Sequence, residues 1–389
     1  MRYGALVVAV LAAATACGCS GMGGVAQPGH SSKPPAPPRV LKPARVIYTV
    51  GGKLGTSKIA AIATQPGTKQ RYVLLMAWIP QDKEGIEGRY RLVRLDLITG
   101  GTQELGAVDE GEAEPRHIAC AHNGRIAVEQ ERHVEETRIS VREPDGAWRT
   151  AIDWTQSTLQ EPIGWSSDSR SLLCDHFRTD PFYAVFTAAT SASPGEPFRE
   201  RAIAHRSLQN AIWSADGSSF YALAPGRTGT ALDLLSVGWP SGREKTLLRG
   251  ELGDLTVAED SGTLAFIASA GGNRWQIWRM QPGSKPERTP VLLPSVPTEF
   301  VVSPDGKYAM AVLGKEVGMS VLAEGGLVAY GLDDGTEYRV PDTVGKNVMM
   351  VHWALGGRAV TYTVVPQGSL DWEDKAMGKQ VWLVHVDKR

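Results

Sequence analysis

Four of the chain's eight histidines, His117, His133, His176 and His205, fall in or beside polar connections between apolar stretches. Neutral imidazoles brought together from adjacent segments suit a divalent transition metal, because each ring offers a nitrogen lone pair. The same residues suit a solvated rim with local hydrogen bonds equally well, and their spacing defines no ligand set. Cys120 with His117 and His122 falls within one expected strand and its turn, which is not zinc-finger spacing. No G-x-S-x-G nucleophile turn, H-E-x-x-H pair or glycine-rich phosphate loop occurs in the 389 residues. No catalytic residue, metal ligand or cofactor is therefore assigned.

Two segments concentrate binding chemistry. DHFRTDPFY contains Asp175, His176, Phe177, Arg178 and Tyr183, and VPQGSLDWEDKAMG contains Trp372, Glu373 and Asp374. Aromatic rings supply anchoring area and the charges beside them fix orientation, so these eight residues are the expected ligand contacts.

The elements that must position them come from a repeat. PIGWSSDSRSLLCDHF (from Pro162), NAIWSADGSSFYALAP (from Asn210), DLTVAEDSGTLAFIAS (from Asp254) and EFVVSPDGKYAMAVLG (from Glu299) share an apolar segment, a turn and a second apolar segment. HIACAHNGRIAVEQE (from His117) and MVHWALGGRAVTYTVV (from Met350) are weaker copies. Aligned on the turn, Asn123, Asp168, Asp216, Asp260, Asp305 and Gly356 are spaced by 45, 48, 44, 45 and 51 residues. A second set of turn glycines, Gly101, Gly146, Gly195, Gly242, Gly283 and Gly335, advances in step with the first. Two hairpins per unit make four short strands, which is one blade of a β-propeller.

The motif W-S-x-D-G, carried by Trp165, Ser166 and Asp168, by Trp213, Ser214, Asp216 and Gly217, and by Ser303, Asp305 and Gly306, resembles the TolB-type repeat of bacterial propellers. Trp353 belongs to the last copy. The resemblance spans residues 44–389 and implies blade geometry rather than an activity; the α/β domain that precedes the propeller of TolB has no counterpart here. Adding Ser57 to Ile79 as an atypical first pair gives the expected fold: all-β, seven four-stranded antiparallel blades. Arg45 to Val50 is expected as the outer strand beside Lys379 to Asp387, closing the ring by an N-terminal strand and removing an exposed sheet edge. Some seven-bladed polysaccharide lyases of similar blades hold a metal through pore histidines. That resemblance implies an alternative, a metal-dependent carbohydrate-acting enzyme using the loop-face histidines.

Arg2 precedes the apolar run Ala5 to Ala16, too short to span a bilayer and suited to a secretory signal over residues 1–16. Ala14-Thr15-Ala16 fits ordinary cleavage, and with Cys17 it also resembles a lipobox, with Ala14 where leucine is usual. The expected reading is lipid attachment at Cys17, a Gly/Ser/Pro tether over 17–43 and a propeller over 44–389, with secretion as the alternative. Export permits disulfides, yet Cys120 and Cys174 occupy core positions of the repeat and are expected as separate thiols.

With 41 basic and 42 acidic side chains, the chain lacks the positive field that nucleic acid requires. The expected function is a binding or scaffolding module at the cell envelope. Its partner would be a protein, peptide or glycan; it would meet the membrane only through its lipid, and it would be a monomer.

Overall fold

A computed structural model describes residues 39–50, 58–67, 69–80, 88–108, 114–132, 136–156, 160–176, 187–191, 196–202, 208–226, 231–317, 320–365 and 380–386. These belong to the unit Pro37–Arg389. The fold is an all-β propeller. Its blades, lettered A to G in chain order, begin with the inner strands Lys58–Thr64, Glu114–Cys120, Gln160–Trp165, Gln209–Trp213, Leu252–Val257, Pro297–Val302 and Asn347–Ala354. Each blade adds its later strands outward in sequence order. Every inner strand packs against the next, and Asn347–Ala354 packs against Lys58–Thr64, so the ring closes around a central axis.

The expectation of seven four-stranded antiparallel blades is corrected: six sheets are of that kind, not seven, and blade F has five strands. Its extra strand, Arg39–Val40, pairs in parallel with Glu337–Arg339. The cause lies in the next residue. Leu41 donates its amide to Arg339 O at 3.0 Å and is buried in one cluster with Met310, Val340 and Val348. A single apolar side chain thus draws into the sheet a piece of chain whose Gly/Ser/Pro composition reads as tether. Blade G takes Arg45–Thr49 as its outer strand, antiparallel to Gln380–His385, with Arg45 opposite Leu383 and Thr49 opposite Gln380.

The repeated turn has one geometry in three blades. Ser166, Ser214 and Ser303 each donate a hydroxyl hydrogen bond to the aspartate two residues on, at 2.6 Å. Asp168, Asp216 and Asp305 in turn accept the amides of Arg170, Ser218 and Lys307. Gly306 shows why the motif wants glycine: its φ is +71°, and a Cβ there would lie 2.6 Å from both Ser261 Oγ and Thr263 Oγ1 of the preceding blade.

The core sits in the seams between blades, each hydrophobic cluster drawing side chains from two neighbours. Tryptophans lock three seams. Trp165, Trp213 and Trp353 donate their indole N–H to the carbonyls of Ala119, Gly164 and Val301 on the preceding inner strand. Cys120 stands at the corresponding place in blade B and packs in the seam between blades A and B. Cys174 lies in the seam between blades B and C, and both are free thiols.

Candidate functional site: the mouth of the central channel

A cavity of about 500 Å³ opens on the axis, and its polar wall is made by His117, Asn210, Asp254, Glu299 and His352. His117, Asn210 and Asp254 lie within bulges of their inner strands, and Glu299 and His352 are the first paired residues after one. The pairing register skips between Pro115 and Ile118, Gln209 and Ile212, Leu252 and Leu255, Pro297 and Glu299, and Met349 and His352. An extra residue in one strand has no ladder partner and turns its side chain away from the sheet. Asn210 and Met350 sit in their bulges at φ values of 46° and 57°.

The bulge of blade G also frees two amides, and Glu299 of blade F takes both. Its Oε1 accepts from Met350 N at 2.6 Å and its Oε2 from Val351 N at 2.7 Å. Burial raises the Glu299 carboxyl above its ordinary range, these two bonds oppose the rise, and the charge of Asp254 adds to it. Asp254 is likewise raised by burial, against a 3.2 Å hydrogen bond from Asn210 Nδ2. Burial pushes the His352 imidazole down to about 4, so it is neutral at pH 7. On the far wall His117 Nδ1 lies 2.5 Å from Glu129 Oε2, whose side chain is 1% exposed. The wall therefore offers carboxyl oxygens and imidazoles held in place by the neighbouring strands, above apolar flanks from Ile212, Leu255 and Phe300. It can receive a ligand that presents hydrogen-bond donors.

Of the residues expected to bind ligand, Asp175 and His176 end the strand Ser171–His176, where His176 pairs with Gln160 at the start of the inner strand of blade C. Val365, which precedes the second segment, pairs with Asn347 at the start of the inner strand of blade G. Both strand ends thus lie on the side where the inner strands begin, the side of the cavity. Phe177, Arg178, Tyr183, Trp372, Glu373 and Asp374 lie outside the described residues, as do Cys17, His133 and His205. Of the four histidines weighed as metal ligands, His117 is in the cavity wall, and it alone has a described side chain. Among the described residues no three His, Cys, Asp or Glu side chains are grouped to hold a metal ion.

Asn210, Asp254, Glu299 and His352 were not singled out by their types. A signal exists in the repeat alignment. His117, Asn210, Asp254 and Glu299 each stand six positions before the turn residues Asn123, Asp216, Asp260 and Asp305. A polar residue in that column, inside an otherwise apolar inner strand, marks the channel.

By sequence the chain matches no family model and no curated protein. By structure it is similar to an oligogalacturonate lyase in complex with manganese, at 11% identity and a TM-score of 0.61, over 90% of this chain and 99% of that one. It is also similar to the β-propeller domain of the Trilobed protease from Pyrococcus furiosus, at 11% identity and a TM-score of 0.55, over 85% and 94% of the two chains. TolB from Acinetobacter baumannii is matched at 14% identity over 70% of this chain and 64% of that one, with a TM-score of 0.47, too slight a likeness to argue from. At these identities the likenesses concern the fold alone, and the fold is that of a β-propeller protein.

Proposed function

We propose that this chain is an exported β-propeller, anchored by lipid at Cys17, that acts as a binding or scaffolding module at the cell envelope and takes its ligand at the channel mouth. The observation that carries the reading is the arrangement of Asp254 and Glu299, two acceptor groups held on bulged strands of adjacent blades in one cavity. The strand ends at His176 and Val365 support it, since both lie on the side of the cavity. Aromatic and charged residues of the segments that follow them, Phe177, Arg178, Tyr183, Trp372, Glu373 and Asp374, would extend the contact beyond the cavity, with Asp175 and His176 at its edge. The ligand is a protein segment, peptide or glycan presenting amine or hydroxyl donors, bound by a monomer. The apolar run Ala5 to Ala16 followed by Cys17 supports export and anchoring.

The test is capture from an envelope extract by the parent protein and by an Asp254→Asn/Glu299→Gln variant shown by circular dichroism to be folded at the capture temperature. A partner retained by the parent and lost by the variant is expected; an identical set of captured partners overturns the channel-mouth reading. Metal analysis of the purified protein separates the binding reading from a metal-dependent carbohydrate-acting enzyme, and mass spectrometry of the mature N-terminus tests the lipid at Cys17.

A further inference from the structure

The other end of the channel is crossed by a chord. Glu259 follows the inner strand of blade E, inside the turn closed by Ala258 N donating to Thr263 O at 2.8 Å. The neighbours of that inner strand are those of blades D and F. Among the described residues, the Glu259 carboxylate bonds to neither. Its Oε1 accepts from Gly67 N at 2.7 Å and its Oε2 from Gln70 Nε2 at 2.5 Å, both in the first turn of blade A. His122 Nε2, in the corresponding turn of blade B, lies 3.4 Å from Oε1. The partners are separated by 192 and 189 residues in the chain, and the bonds span the ring instead of following it.

Gln70 ties the chord into the ring. It is 3% exposed. While its Nε2 donates to Glu259, its Oε1 accepts from Gly356 N at 3.2 Å, and its main-chain carbonyl accepts from Leu355 N at 3.1 Å. Blade G is thereby joined to the same knot. On the other side Asp260 N and Ser261 N donate to Pro304 O of blade F. Glu259 is five residues beyond Asp254 and past the end of that inner strand at Val257, which at about 3.3 Å per residue sets the chord at most about 16 Å from the cavity wall, on the turn side.

We propose that Glu259 is a strap across the propeller axis that draws the turns of blades A and B against blade E and shuts the turn-side end of the channel, leaving the cavity reached from its mouth alone. One carboxylate suits the task because it accepts from an amide, an amide side chain and an imidazole at once, and each partner belongs to a blade opposite its own. The inference goes beyond the binding role and does not depend on what the channel holds.

Two native thiols test it. Cys120, two residues before His122, packs in the seam between blades A and B that the strap pulls inward, whereas Cys174 is buried in the next seam. Peptide-resolved labelling of the full chain with iodoacetamide under native conditions is measured for the parent, Glu259→Ala and Glu259→Gln. The expected result is a several-fold faster modification of Cys120 in Glu259→Ala with Cys174 unchanged, and a smaller acceleration in Glu259→Gln. An unchanged Cys120 rate, or an equal acceleration at both thiols from general loosening, overturns the strap. If Glu259→Ala does not fold, the ratio of the two rates in Glu259→Gln decides alone.

Discussion

Asp254 and Glu299 face one channel from neighbouring inner strands, and the carboxyl of the second, raised by burial against its two amide bonds, is raised further by the charge of the first. A carboxyl raised in the folded state contributes stability that is fully present below its unfolded pKa and is lost as pH rises through the folded value. Both groups therefore weaken the fold above about pH 4, the usual unfolded carboxyl range. Asp254→Asn removes one penalty and eases the other. Its melting temperature relative to the parent should climb as pH is raised from 4 to 7, and the Glu299 carboxyl carbon should titrate lower in NMR. A difference in melting temperature that stays flat with pH would show that the two carboxyls are not coupled.

The strap predicts a titration of opposite sign. The hydrogen bond to Glu259 raises the His122 imidazole against the effect of burial, and the charge of Glu259 adds to the rise. The resulting stability is complete below about pH 6.5 and fades as pH rises through the folded value. For Glu259, burial alone would raise the carboxyl, yet His122, Gln70 and the Gly67 amide together hold it low, so its share is lost only as pH falls through that lowered value. The His122 ring-proton titration should move down in Glu259→Gln. An unmoved midpoint would mean that the two side chains do not meet in solution.

Arg125 is 1% exposed in the seam between blades B and C. Its Nε donates to Glu143 Oε2 at 2.9 Å and its Nη1 to Ser169 O at 3.1 Å, with Phe198 beneath the guanidinium at 5.6 Å. Removing one partner of such a pair leaves the other charge buried, at a cost of about 3–5 kcal/mol. Arg125→Ala should show a loss of that order by urea unfolding, and Arg125→Met/Glu143→Leu a much smaller one. Equal losses in the two variants would assign the effect to packing instead of charge.

Blade structure was legible in the sequence because the turn is local. Ser214, Asp216 and Gly217 bond within a few residues of each other, so their pattern survives in every good copy. The seam tryptophans were legible for the same reason, each at a fixed place before the turn. The channel was not, because a bulge depends on pairing between strands, and Asn210 or Asp254 alone is an ordinary polar residue. The strap was beyond reach: nothing near Glu259 in the chain announces Gly67 and Gln70, which ring closure alone brings to it. Blade F shows a further limit, since composition sees the prolines around Leu41 and not the pocket that holds it.

Ring closure and the small parallel strand can be separated by three N-terminal starts. A chain beginning at Arg39 keeps Arg39–Val40, Leu41 and the outer strand Arg45–Thr49. One beginning at Ala44 loses Leu41, which is 8% exposed, and the amide bond to Arg339. Burying a leucine contributes about 1.5–3 kcal/mol, so this chain should fold with a loss of about that size. One beginning at Gly51 also loses Val50, buried at 5%, and leaves Gln380–His385 as a bare sheet edge. An unpaired edge invites association, so that chain should unfold at the lowest urea concentration and form oligomers in gel filtration. If the starts at Ala44 and Gly51 prove equally stable and equally monomeric, the strand Arg45–Thr49 does not hold the ring shut.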